Sequence, residues 1–156
     1  MITNSKRIAR LDSAAPDLFL SYNRVDREAV MTVRKRLANR GVSTFLDSEN
    51  LPLGFPWLVA LDNAIQEVRG VAVFIGKAGI GEWQMREILL SLDRQIREER
   101  HANQFPVIPV LLPEADLEGC SGFLLLNSWV DLRGGADVTA PLDALARAVV
   151  NNDAQG

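Results

Sequence analysis

Five consecutive apolar residues, Val71-Ala72-Val73-Phe74-Ile75, stand between two glycines, Gly70 and Gly76. Such a run, apolar at every position, is what a central parallel strand needs when helices cover both of its faces. This one feature commits the rest of the chain to supplying the neighbouring strands and the covering helices.

The remaining pattern alternates accordingly. Residues 17–22 form a short apolar strand. A helix follows over 25–39, with Val30, Val33 and Leu37 at helical spacing and Gly41 as its stop. Residues 42–46 are β-branched and aromatic, hence a second strand. Residues 47–56 form a loop punctuated by Pro52, Gly54 and Pro56. The second helix carries Leu58, Leu61, Ile65 and Val68 on one face. After the central strand come a glycine-rich loop, 76–81, and a third helix whose apolar stripe is Met85, Ile88, Leu89, Leu92 and Ile96. Residues 105–112 form a fourth strand. Pro109 inside it lacks a ladder donor, so this strand is expected near an edge or with a local irregularity. Residues 113–127 are ambiguous, with room for a short helix. A fifth, short strand covers 128–132. Thr139 is expected to cap a last helix with Pro141 in its first turn and Leu142, Leu145 and Val149 as its stripe.

Strands alternating with helices imply an α/β fold, a flavodoxin-like three-layer sandwich on a five-stranded parallel sheet of order 2-1-3-4-5. The length of 156 residues fits one domain. Residues 1–16 read as a flexible leader, 17–150 as the domain and 151–156 as a disordered tail. In such sheets ligands bind beyond the carboxyl ends of the strands, at the switch point between strands 1 and 3. The segments 21–24, 47–57 and 76–87 are therefore where a site is expected.

Two counts prune the chemistry. One cysteine, Cys120, allows no internal disulfide and fits a reducing cytosol. One histidine, His101, lies in a charged run that reads as a solvated helix end, so a surface role stands against a catalytic one. Zinc sites built from several His and Cys are excluded, and no metal is expected. The net charge of -3 argues against nonspecific nucleic-acid binding and a basic membrane patch. No apolar run approaches a membrane span, and no secretory signal opens the chain, so a cytoplasmic location is expected.

Several familiar sites fail on their own residues. The loop Gly76-Lys77-Ala78-Gly79-Ile80-Gly81 has P-loop glycine spacing, but Glu82 and Trp83 follow where lysine and a hydroxyl are needed. The same loop lacks the dinucleotide fingerprint. A phosphoacceptor pair after strand 1 is missing, and so is a hydroxyl-rich flavin-phosphate loop.

What remains is distinctive. Asp17-Leu18-Phe19-Leu20-Ser21-Tyr22, followed by a charged helix start, resembles the first signature box of TIR (Toll/interleukin-1 receptor) domains. The segment 41–47, followed by Leu53-Gly54-Phe55-Pro56-Trp57, resembles their second box and the long loop after strand 2. Trp83-Gln84-Met85-Arg86-Glu87 resembles the Trp-x-x-x-Glu motif of the enzymatically active members, and residues 123–131 are similar to the third box. The resemblance covers residues 17–150.

The resemblance implies an activity. Bacterial, plant and one animal TIR protein cleave NAD+ to nicotinamide and ADP-ribose or a cyclic ADP-ribose; bacterial members imply a role in anti-phage defence. NAD+ is then substrate, and no cofactor is implied. Glu87 falls at the catalytic position. Substrate contacts fall at Ser21, Tyr22, Arg24, Phe45, Asp47, Trp57 and Trp83. Asn23 stands where the animal enzyme has the first of two arginines, which leaves phosphate contact there to Arg24. The 47–57 loop is expected to mediate self-association, and a sensor domain is expected outside this chain. The other reading, of a different class, is a non-catalytic adaptor acting by homotypic assembly.

Physical chemistry accommodates the enzymatic reading. Cleaving the nicotinamide bond passes through an oxocarbenium-like ribose and releases a leaving group that is already cationic, so no general acid is required. A carboxylate beside the ribose stabilises the growing positive charge. Glu87 lies four residues after Trp83, so both are expected on one helical face, off the apolar stripe. Simpler readings stay open beside these: Glu87 as a first-turn acid favoured by the helix dipole, Trp83, Trp57 and Tyr22 as core or core-edge residues, Asp47 as a turn residue, Glu49 as a solvated charge and Cys120 as a small buried hydrophobe.

Overall fold

A computed structural model describes residues 15–46, 53–54, 56–118, 120, 122, 124–135 and 138–150. The expected leader as far as residue 14, the tail 151–156, and Asp47, Glu49, Leu51 and Phe55 lie outside the described residues.

The apolar run is the middle of the sheet. Every residue of β3 (Gly70–Ile75) is buried. It pairs in parallel with β1 (Leu18–Ser21) on one side and β4 (Val107–Leu111) on the other. β2 (Thr44–Phe45) flanks β1 and β5 (Val130–Asp131) flanks β4, giving the all-parallel order β2-β1-β3-β4-β5. This is the order the sequence pattern implies.

Four helices accompany the sheet among the described residues: α1 (Arg27–Ala38), α2 (Trp57–Glu67), α3 (Glu82–Arg100) and α4 (Thr139–Val150). Side chains alternate across the strands. Leu18, Leu20, Phe74 and Val110 pack in one layer with Val33 and Leu37 of α1 and Leu145 and Val149 of α4. Phe19, Val71, Val73, Ile75 and Leu111 pack in the other with Leu61 and Ile65 of α2 and Ile88 of α3. Among its described residues, the ambiguous 113–127 segment holds a 3-10 turn at Leu124–Leu126. Thr139 is the first residue of α4 rather than its cap.

Pro109 sits inside β4, which is not an edge strand. The ladder explains why it is tolerated. Leu112 N–H donates to Ile75 O and Leu132 N–H donates to Leu111 O. Even-numbered residues of β4 therefore turn their backbone groups to β3 and odd-numbered ones to β5. Pro109 lacks its N–H on the β5 side, and β5 begins to pair only at Val110. No ladder bond is lost.

One expected stripe is corrected in part: Ile88 is buried and Leu92 packs against the core, as expected, but the stripe does not hold as a whole. The residues of α3 turned to the sheet are Gln84, Glu87, Ile88 and Ser91, whereas Leu89 and Ile96 are 61% and 54% exposed. Apolar periodicity cannot reveal a helix face that is polar and buried. The face is polar here because part of it lies over strand ends, whose carbonyls need donors.

The seam between α2 and α3 is held by Arg94. Its Nη1 donates to Ile65 O and to Val68 O, the latter at 2.7 Å, supplying partners to carbonyls at the C-terminus of α2. The guanidinium lies 3.9 Å from the Phe105 ring centre and pairs with Glu98. Burial lowers its pKa, while Glu98 acts in the opposite sense. The seam sets how the N-termini of α2 and α3, and so Trp57 and Trp83, face each other.

Candidate functional site

The site is built where β1 and β3 end. Gly76 opens a tight loop in which Gly76 O accepts from both Gly79 N–H and Asp116 N–H. Gly79 has φ +68°, a conformation suited to glycine. The loop is thus folded on itself and delivers the chain to α3 through Gly81. Gln84, in the first turn of that helix, is 1% exposed. Its Nε2 donates to Phe74 O at 2.7 Å and Ser21 O at 3.2 Å, and its Oε1 accepts from Gly81 N–H at 3.1 Å.

Glu87 lies one turn further along the same face and is 2% exposed. It is the sixth residue of α3, whose first-turn acid is Glu82. The helix-dipole reading of Glu87 therefore loses its basis, since that effect fades beyond the first turn. The expectation that Glu87 lies off the buried stripe is corrected too: it is part of it. Ser91 Oγ donates to Glu87 O at 2.6 Å. Ser21 is fully buried, and its Oγ has no hydrogen-bond partner among the described residues. Both side chains belong to the α2/α3 side of the sheet, as Ser21 pairs in register with Val73.

Trp57 opens α2 and Trp83 lies in the first turn of α3. Their ring centres are 3.8 Å apart with planes at 32°. Arg86 places its guanidinium 5.6 Å from one ring centre and 5.5 Å from the other. Trp83 remains 43% exposed, whereas Trp57 packs partly into the core. Each tryptophan thus uses one side for packing, which merges the structural and the binding reading. An open groove lined by Ile80, Gly81, Glu82, Met85 and Arg86 runs beside the pair.

The other expected residues divide. Phe45 stacks on Phe19, ring centres 5.3 Å apart, on the α2/α3 side. Tyr22 packs in the opposite layer, and its hydroxyl accepts from Arg27 Nη1 at 3.2 Å. Arg24 is exposed in the 3-10 turn Arg24–Asp26, which Asn23 caps by accepting from Val25 N–H at 3.2 Å. Asp47 lies outside the described residues. Strand alternation accounts for the separation of Ser21 from Tyr22, because neighbours in a strand face opposite layers.

Sequence reasoning missed Gln84, Arg86 and the pair Asp26–Gly76. A glutamine three residues after the glycine that starts α3 is half of a capping box, and that was the available signal for Gln84. Nothing local marks Asp26 against Gly76. A Cβ at Gly76 would lie 2.2 Å from Asp26 Oδ1. The Asp26 carboxyl is buried, and its Oδ2 has no hydrogen-bond partner among the described residues. Burial raises its pKa, and Lys77 nearby opposes the rise. A carboxyl whose pKa is higher folded than unfolded weakens the fold as pH climbs from the unfolded value through the folded one. Asp26→Asn should therefore be more stable than wild type at neutral pH, and the difference should shrink on acidification. Urea unfolding across a pH series measures it; a difference that grows toward low pH would reverse the sign.

No group of three or more His, Cys, Asp or Glu positioned for a metal occurs among the described residues. No helix among them is long and apolar enough to cross a membrane.

A parallel sheet of this order, with buried polar side chains gathered where β1 and β3 end, defines a flavodoxin-like α/β protein, a class that hosts many activities. Comparison with known families narrows it: the family model for the TIR domain matches residues 18–147, and the chain belongs to that family. Solved structures agree on the fold. The TIR domain of the Toll-related receptor TRR-2 from Hydra magnipapillata aligns at 17% identity and TM-score 0.65, covering 86% of this chain and 98% of that one. The TIR domains of the activated Roq1 resistosome, which recognises the pathogen effector XopQ, align at 21% identity and TM-score 0.57, covering 88% and 99%. A metazoan TIR-STING receptor from C. gigas, in complex with 2′,3′-cGAMP, aligns at 20% identity and TM-score 0.65, covering 86% of this chain and 39% of the receptor. No curated protein matches the chain.

Proposed function

We propose that this TIR domain cleaves the bond between nicotinamide and ribose in NAD+, with Glu87 as the catalytic carboxylate. The observation that carries the reading is a carboxylate 2% exposed at the switch point, four residues after a half-exposed tryptophan. A low-dielectric setting strengthens its interaction with a cation that develops only as the bond breaks. The C1′–N bond gives up its electron pair to nicotinamide, which leaves neutral, and C1′ becomes the electron-poor centre of an oxocarbenium. Attack by water then gives ADP-ribose and a proton; attack by a nitrogen of the substrate's own adenine gives a cyclic ADP-ribose. Trp83 offers a planar face to one of the rings, and Ser21 and Phe45 lie on the same side of the sheet. Arg24 supplies a cation for the pyrophosphate. Incubating the protein with NAD+ and following nicotinamide by chromatography tests the activity, and the co-product distinguishes hydrolysis from cyclisation. No nicotinamide release at any protein concentration would leave the adaptor reading.

Self-association through the 47–57 loop is part of the proposal. Leu53 is 97% exposed and Gly54 has φ +82°, a turn that proline cannot adopt. An apolar side chain so fully displayed gains by packing on a neighbouring copy. The resistosome neighbour also places TIR domains in an assembly. Turnover per molecule should rise with protein concentration, and Leu53→Asp or Gly54→Pro should flatten that rise while the domain stays folded. Concentration-independent turnover would oppose it. Anti-phage defence in a bacterial cytoplasm is the setting that the resemblance to bacterial members supports.

A further inference from the structure

The α3 helix meets the sheet at one unusual place. Asp17 O accepts from Arg69 N–H, so the odd-numbered carbonyls of β1 face β3. Ile75 O accepts from Leu112 N–H, so the even-numbered carbonyls of β3 face β1. Ser21 O and Phe74 O therefore both look into the gap between the two strands, where their pairing ends at Ser21 and Val73. Phe74 N–H, set against Ser21 O by that register, is the last rung, and beyond it no backbone donor among the described residues reaches Phe74 O. The Gln84 amide fills the gap, donating to both carbonyls while its own carbonyl accepts from Gly81 N–H. One side chain thus ties β1, β3 and the loop before α3 to a fixed rotation of the helix. Glu87 is three residues on, on the same face, so that rotation also sets where its carboxylate stands.

We infer that Gln84 is a positioning residue for Glu87: it replaces the missing rung of the sheet and thereby fixes the depth and angle of the carboxylate. This rests on the NAD+-cleaving reading. Gln84 does not touch substrate; it acts through the helix.

The test compares wild type, Glu87→Gln, Gln84→Met and Gln84→Glu in NAD+ cleavage. Methionine keeps the volume and removes the three hydrogen bonds. Both Gln84 variants should lower kcat by about 10- to 100-fold, the scale of a small misplacement of a reacting group. In both, kcat should fall by a larger factor than KM rises, because the carboxylate acts only as the bond breaks, whereas Trp83 beside Gln84 also holds the substrate. Gln84→Glu adds a pH signature. Ionised, the new carboxylate repels the two carbonyl oxygens; protonated, its O–H donates to one of them. Burial raises its pKa. The ratio of its kcat to that of wild type should therefore rise as pH falls, while the ratio for Gln84→Met stays flat. A purely space-filling role would give flat ratios for both. In wild type the Gly81 amide should also exchange slowly with deuterium, as a hydrogen bond to Gln84 requires.

Folded Gln84 variants with wild-type kcat, losses confined to KM, or a flat ratio for Gln84→Glu would each overturn the inference. So would a freely exchanging Gly81 amide, a measurement that stands even if both variants unfold. If wild type is active, Glu87→Gln is inactive and the Gln84 variants behave as wild type, this inference alone falls. If wild type releases no nicotinamide, or Glu87→Gln stays fully active, the assignment of Glu87 falls and takes the positioning role with it.

Discussion

Glu87→Gln should slow NAD+ cleavage by about 10²-fold or more while leaving the fold in place. The substitution keeps length and shape, removes the negative charge and exchanges one acceptor oxygen for an NH2 donor. A factor of 10² is about 2.7 kcal/mol of transition-state stabilisation, the scale of one preorganised electrostatic contact. NAD+ binding should weaken much less, because the ribose carries no full charge before the bond breaks. The fold should tolerate the change, since Glu87 is 2% exposed and an amide of the same shape avoids burying a charge. Calorimetric binding of NAD+ to the variant, beside nicotinamide release, separates the two effects. The adaptor reading expects no NAD+ consumption from wild type and no change on substitution. A folded Glu87→Gln protein with wild-type turnover would falsify the assignment and turn attention to Asp47, Glu82 and Glu49.

Gly76→Ala should cost about 1–3 kcal/mol of stability, the range for forcing a methyl into filled space. The added Cβ would fall 2.2 Å from Asp26 Oδ1 and 2.4 Å from its Cγ. Asp26 is a short side chain, buried and carried by a 3-10 turn, so it has little room to swing aside. Its displacement would also disturb the segment that follows Ser21. Urea unfolding of Gly76→Ala, Asp26→Ala and the double variant forms a thermodynamic cycle. The double variant should recover most of the loss caused by Gly76→Ala. Additive effects would mean that the two residues do not press on each other.

The central strand was legible because burial on both faces leaves a plain mark: five apolar residues and two flanking glycines. The order of strands followed from the alternation of elements. The inward face of α3 was legible only at Ile88 and Leu92. Periodicity weighs apolar residues, and Leu89 and Ile96 satisfy it while facing water. The buried stripe instead holds Gln84, Glu87 and Ser91, and what makes Gln84 useful there is the pair of strand carbonyls it meets, which lie 10 and 63 positions earlier in the chain. Family resemblance marked Trp83 and Glu87 but not the stacking of Trp83 on Trp57, because that contact depends on how α2 docks. Pro109 drew the expectation of an edge or an irregularity; the ladder satisfies it through the late start of β5, a matter of strand length rather than of the proline's surroundings. Asp26 and Gly76 are fifty positions apart, and only the folded chain brings a carboxyl to a residue without a side chain.

The α3 helix has its amphipathic pattern turned partly inside out. Leu89 and Ile96 stand in water, while Gln84, Glu87 and Ser91 face the sheet. In landscape terms the element is locally frustrated: Ile88, Leu90 and Leu92 pack against the core while Leu89 and Ile96 are left out of it, and hydrogen bonds from Gln84 near the start and Arg94 further along hold that rotation. Stability is therefore withheld from the one helix that carries the candidate carboxylate, a local exchange of robustness for chemistry. It follows that the rotation of α3 rests on a few polar contacts as well as on apolar burial, so that the hold on the reactive group is concentrated in Gln84 and Arg94.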